Sequence, residues 1–92
     1  MEPMKFIVVE RFKHGAAEEI YRRAVEKGRM LPEGLRYVDS WVSTDLETCY
    51  QLMETEDEGL FSQWTRHWDD LVEFEIVRVL TSAEAAAKSR TS

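Results

Sequence analysis

The chain has 92 residues, 43% of them hydrophobic and 33% charged, with 12 Lys and Arg against 18 Asp and Glu for a formal net charge of −6. One domain of this size buries roughly two-thirds of the surface its unfolded form exposes and keeps little stability in reserve. The acidic balance opposes the counterion release that drives binding to phosphate backbones, the single cysteine, Cys49, can form no internal disulfide, and no apolar run reaches membrane-spanning or signal-peptide length. Nucleic acid and membrane are therefore not expected partners, and a reduced, cytoplasmic setting is.

Residues 5–12 alternate Phe6, Val8, Glu10 and Phe12 on one face with Lys5, Ile7, Val9 and Arg11 on the other. A β-branched strand that is apolar on both faces belongs in the middle of a sheet. Lys13-His14-Gly15 then turns the chain into a helix with Glu18 and Glu19 early, Arg22, Arg23 and Lys27 late, and Gly28 at its stop, a charge order that complements the helix dipole. Ala17, Ile20, Tyr21, Ala24 and Gly28 form the stripe that faces the sheet.

Pro32-Glu33-Gly34 has turn chemistry, and strand two follows over 35–43. A polar loop at 44–47 leads into strand three over 48–54. Thr55-Glu56-Asp57-Glu58 has the T-x-x-E form of a capping box, which predicts that the second helix opens there. Its apolar stripe is Leu60, Phe61, Trp64 and Trp68, and strand four covers 72–80, with Phe74 and Ile76 opposing Val77 and Val79. The composition then shifts to Ala, Ser, Lys and Arg. The expected organisation is one domain over 1–82 and a loosely docked tail over 83–92.

The order β-α-β-β-α-β predicts a ferredoxin-like α+β fold: a four-stranded antiparallel sheet with two helices on one face, strands one and three central, strands two and four at the edges. The uncovered face is apolar too and calls for a partner, most simply a second copy in a homodimer. Strand rise and spacing give such a face roughly 400 Å² per copy. Stacking two buries about 800 Å² against the roughly 1,200 to 2,000 Å² of stable interfaces, so loops or the tail would have to add contact.

Met4-Lys5-Phe6-Ile7-Val8-Val9-Glu10-Arg11-Phe12, Gly28-Arg29-Met30-Leu31-Pro32-Glu33-Gly34, Asp39-Ser40-Trp41, Gln51-Leu52-Met53-Glu54-Thr55 and Trp68-Asp69-Asp70-Leu71 together resemble a bacterial family of short proteins, domain of unknown function 3303. The resemblance covers residues 4–84. That family is similar in turn to the dimeric α+β barrel group, in which two ferredoxin-like chains stack their sheets around a shared cavity. The group spans cofactor-independent oxygenases, isomerases, haem-dependent enzymes and proteins without known activity. It thus implies an architecture, leaves the chemistry open and carries over no catalytic residue set.

On strict alternation, strand two places Tyr37, Asp39 and Trp41 on one face, with Ser40 between Val38 and Val42 on the other. Facing a dimer cavity, Asp39 would be a partly desolvated carboxylate and a candidate general base. Edge strands also carry charge that blocks unwanted pairing, and on that reading Asp39 sits in water or pairs with Arg11, Arg36 or Arg78. Glu10 is the other candidate, since it shares a central-strand face with Phe6, Val8 and Phe12, where an unpaired carboxylate is costly. Tyr50, Gln51 and Glu54 of strand three could join the same cavity, and the hairpin register decides which of them do. The candidate cavity lining is Glu10, Tyr37, Asp39, Trp41, Tyr50 and Gln51.

His14 and His67 stand far apart, Cys49 has no base beside it in sequence, and the four glycines are scattered at turns, so no metal site, phosphate loop or cofactor motif is expected. The third strand lacks the aromatic pattern with which RNA-recognition domains of the same topology stack bases. Two functional readings stand. One is a homodimer enclosing a cavity for an unidentified small organic ligand, with proton transfer by Glu10 or Asp39 if it is catalytic. The other is a non-catalytic interaction or regulatory domain with a fully packed dimer interface. Whether the protein is an enzyme stays open.

Overall fold

The computed structural model describes residues 2–90, which form β1 (Met4–Phe12), α1 (Ala17–Lys27), β2 (Leu35–Val42), β3 (Thr48–Thr55), α2 (Leu60–Thr65), β4 (Val72–Val79) and α3 (Ser82–Arg90). The two-sided apolar strand β1 lies inside a four-stranded antiparallel sheet of order β2-β3-β1-β4. This is the expected ferredoxin-like α+β arrangement with β2 and β4 at the edges. No helix among the described residues is long and apolar enough to cross a membrane.

The pairing Val8↔Gln51 and Glu10↔Cys49 fixes which side chains share a face. Phe6, Val8 and Glu10 of β1 and Cys49, Gln51 and Met53 of β3 turn toward the helices and are buried. Ile7, Val9, Tyr50 and Leu52 turn to the open face. Phe6, Val8, Leu35 and Met53 pack with Phe61 and Trp64 of α2 and Ile20 of α1 to make the core. Phe6 and Phe61 meet edge to face at 4.8 Å, a favoured aromatic geometry. Arg23 of α1 holds Asp70 through two bonds of 2.9 Å, joining α1 to the segment before β4.

Two local expectations need correction. The alternation assumed for strand two fails at Val38, where the register passes from Tyr37↔Met53 to Asp39↔Leu52. This extra residue is a β-bulge, so Tyr37 stays on the helix face while Asp39 and Trp41 fall on the open one.

The capping box at Thr55 does not form, because Thr55 is still a rung of β3, paired with Met4 and Leu35. Its hydroxyl accepts the Asp57 amide at 3.0 Å, the Asp57 carboxylate accepts the Gly59 amide at 2.9 Å, and α2 starts only at Leu60 as a six-residue helix. Trp68 accordingly lies beyond the helix, in the turns that follow, yet stays buried.

A true capping box opens α3 instead. The Thr81 amide donates to Glu84 Oε1 at 2.8 Å and the Glu84 amide to Thr81 Oγ1 at 3.1 Å. The segment expected as a tail is thus helical over Ser82–Arg90, with no buried residue.

Candidate functional site

The layer between helices and sheet is filled at one end and hollow at the other. Beneath α2 the large side chains Phe61 and Trp64 meet Phe6 and Met53. Beneath the end of α1 the small residues Ala24 and Gly28 lie opposite Ser40, Val42 and Gln51, and an open-sided pocket of about 250 Å³ remains, with Ile20 and Tyr21 also on its lining. Gly28 is required there: its φ of 67° with ψ of −162° is accessible to glycine alone, and its amide caps Ala24 at 2.8 Å.

The apolar walls are Phe12, Ile20, Trp64 and Trp68; Glu10 and Gln51 enter from the two central strands, and Tyr21 of α1, Arg29 after it and Ser40 of β2 complete the polar lining. Glu10 and Gln51 are 8% and 6% exposed, and the Gln51 amide nitrogen donates to Glu10 Oε2. The other end of that amide, Oε1, is buried and finds no hydrogen-bond partner among the described residues. Burial pushes the Glu10 carboxyl up to about 7, opposed by the Gln51 hydrogen bond and by the positive charge of Arg29. A carboxyl poised there can give or take a proton near neutral pH. Cys49 is a free thiol pushed up to about 12, first by burial and then by the Glu10 charge, which keeps it protonated and unsuited to nucleophilic attack. The Tyr21 phenol is raised by burial and by the same two neighbours.

Arg29 is brought to the cavity by the chain reversal that follows α1. Its carbonyl accepts the indole N–H of Trp64 at 2.9 Å and of Trp68 at 3.1 Å, and the next residue, Met30, adopts a left-handed φ of 60°. Its guanidinium stacks 3.6 Å from the centroid of the Tyr37 ring, whose hydroxyl bonds Ser40 Oγ at 2.7 Å. Two tryptophans thus anchor the Arg29 backbone at the pocket, and the positive charge of this exposed residue acts on the buried Glu10 carboxyl.

Of the six candidate residues, Glu10 and Gln51 line this cavity, which lies within one chain under α1 and not on the open face. Tyr37 stands behind it, against Arg29 and Ser40. Asp39, Trp41 and Tyr50 are on the opposite face: Asp39 is exposed and accepts the Ser40 amide at 2.8 Å, while Trp41 and Tyr50 are 55% and 44% exposed. The structure therefore separates the two carboxylates that the sequence left as rivals.

Sequence reasoning missed Arg29, Ser40 and Tyr21 as cavity residues. One signal was present, since two buried indoles four residues apart each need an acceptor, but nothing in the sequence names the Arg29 carbonyl as that acceptor. His14 and His67 are exposed, and among the described residues no three His, Cys, Asp or Glu side chains converge as a metal site would require.

No curated protein and no solved structure matches this chain. The model of one family, described as a domain of unknown function (DUF3303), matches residues 4–91. The chain belongs to that family.

Proposed function

We propose that the protein binds a small organic molecule in the cavity under α1, where Glu10 exchanges a proton with it and Arg29 stabilises negative charge. The observation that carries this reading is the pocket lining itself: Glu10, a carboxyl of raised proton affinity, stands with Gln51 and Arg29 among the apolar walls of Phe12, Ile20, Trp64 and Trp68. Convergent polar groups in a largely apolar pocket mark ligand sites.

The proposal includes a homodimer through the open face and, given the free thiol Cys49, a reducing cytoplasm. Support for the dimer is the apolar centre formed by Ile7, Val9, Leu52 and Val77, between the charged positions Lys5, Arg11, Glu54 and Glu75. Val77→Arg should convert a sedimenting dimer to a folded monomer, and a wild-type chain that sediments as a monomer would remove this part. A second reading, an interaction domain with no ligand at all, is favoured by the exposed Trp41 and Tyr50 on the open face.

A thermal-shift screen of small organic molecules at pH 7 decides between the two, run on the wild type and on Ala24→Leu, which fills the cavity. A ligand at 100 times its Kd adds about 2.7 kcal/mol to the folded form. Compounds that raise the melting temperature of the wild type but not of Ala24→Leu support the cavity. An empty screen, or hits that survive the filling, would leave the interaction-domain reading.

A further inference from the structure

We propose that the ligand of this pocket is a carboxylic acid with a one-ring apolar body, bound with its carboxylate on the Arg29 guanidinium at the rim and its ring toward the tryptophans. The proposal rests on the ligand-site reading above and narrows it to a chemical class.

The lining is graded from rim to floor. Tyr21 and Val42 are 43% and 38% exposed and Arg29 is exposed as well, whereas Ile20, Trp64 and Trp68 are buried. A molecule that fits this gradient keeps its polar end at the mouth and its apolar part inside. Size limits that part. A cavity of about 150 Å³ accepts benzene; the pocket here is about 250 Å³, enough for one ring and a short arm.

Charge and hydrogen bonding select the polar end. Among the described residues that line the pocket, Arg29 and Glu10 alone carry ionic groups, and a guanidinium is a permanent cation. It lies 3.6 Å from the centroid of the Tyr37 ring, a contact made through the face of the planar group that leaves the N–H donors along its edge available. No hydrogen bond or ion pair engages those donors among the described residues, and none engages the Tyr21 hydroxyl. The rim therefore offers donors without acceptors. Stacking on Tyr37 also holds the guanidinium in place before a ligand arrives, which lowers the cost of binding.

A carboxylate matches this rim, with two acceptor oxygens for the guanidinium fork and one negative charge for the one cation. A doubly charged phosphate would bring a second negative charge into a chain of net charge −6, and an ammonium would meet like charge. The Arg29 charge also opposes the rise in proton affinity of both Glu10 and Cys49 on the floor. A carboxylate on Arg29 is thus within electrostatic reach of the group that exchanges the proton.

The test uses three probes of similar shape, phenylacetate, phenylacetamide and phenethylammonium, titrated calorimetrically into the full chain at pH 6, where Glu10 is mostly protonated. Phenylacetate is expected to bind at least about tenfold more tightly than the amide, and the ammonium more weakly still. In Arg29→Gln, which keeps the backbone carbonyl that both indoles need, the acid should fall to the affinity of the amide. Ala24→Leu should abolish binding of both. If the amide or the ammonium binds the wild type as tightly as the acid, or if the preference for the acid survives Arg29→Gln, the proposal is wrong, and the pocket reading survives as long as Ala24→Leu still blocks binding. If none of the three binds, the proposal is wrong and the pocket reading stands or falls by the thermal-shift screen. The wild-type comparison decides even if Arg29→Gln does not fold.

Discussion

The two faces of one sheet carry similar side chains and do different work. Along β1, Phe6 and Val8 on the helix face are fully buried, while Ile7 and Val9 one residue away are only half-buried. Both faces hold an acidic candidate, and there the contrast is sharpest. Glu10 is covered by α1 and sits beside Gln51, so burial raises its proton affinity into the neutral range. Asp39, carried to the open face by the bulge at Val38, accepts a backbone amide from its neighbour and lies in solvent. Residue type does not separate the two carboxylates. Cover does, through the cost of holding a charge away from water.

The contrast can be broken first where the helix face is fullest. Trp64→Ala removes a buried ring that packs against Phe61 and Phe74 and takes away one of the two indole donors to the Arg29 carbonyl; a loss of about 3–5 kcal/mol is expected in urea unfolding. A loss below about 1 kcal/mol would mean that the helix layer is not the core.

Glu10→Gln comes next, and its effect depends on pH. The folded-state pKa of Glu10 lies above the unfolded value of 4.5, so the stability it contributes is full below that value and is lost as pH rises through about 7. Each tenfold change in proton affinity on folding is worth about 1.4 kcal/mol, so the stability of Glu10→Gln relative to the wild type should grow by about 3 kcal/mol between pH 4 and pH 8. Parallel stability profiles for the two proteins would show that Glu10 is solvated.

Smaller effects are expected from the exposed groups. Ending the chain after Thr81 removes α3, none of whose residues is buried, and should cost less than about 0.5 kcal/mol. A larger loss would show α3 docking on the domain or on a second copy. Asp39→Asn should change urea stability by less than about 0.5 kcal/mol and leave binding of any cavity ligand intact, since Asp39 lies on the far side of the sheet. A destabilisation of several kcal/mol would place it in a buried ion pair.

Much of this was readable before the fold was known. Alternation with β-branched residues marked β1 as central, Gly28 marked the end of α1, and a lone acid among Phe6, Val8 and Phe12 marked Glu10. What could not be read was pairing at a distance. Val38 looks like any strand residue, yet it is the unpaired one, and it reverses the faces of everything after it in β2. The same T-x-x-E pattern occurs at Thr55 and at Thr81, and only the second caps a helix, because the first threonine is held in the sheet ladder. The cavity itself is a difference in size between facing layers, Ala24 and Gly28 against the sheet, and no local pattern reports which residues will face each other.

The central claim, that cover by α1 gives Glu10 a proton affinity suited to chemistry at neutral pH, is tested most directly by following its side-chain carboxyl carbon by NMR through a pH titration. The expected midpoint is about 7. A midpoint near the ordinary 4.5 would contradict the account, because a carboxyl that ionises as if in water is neither buried nor poised.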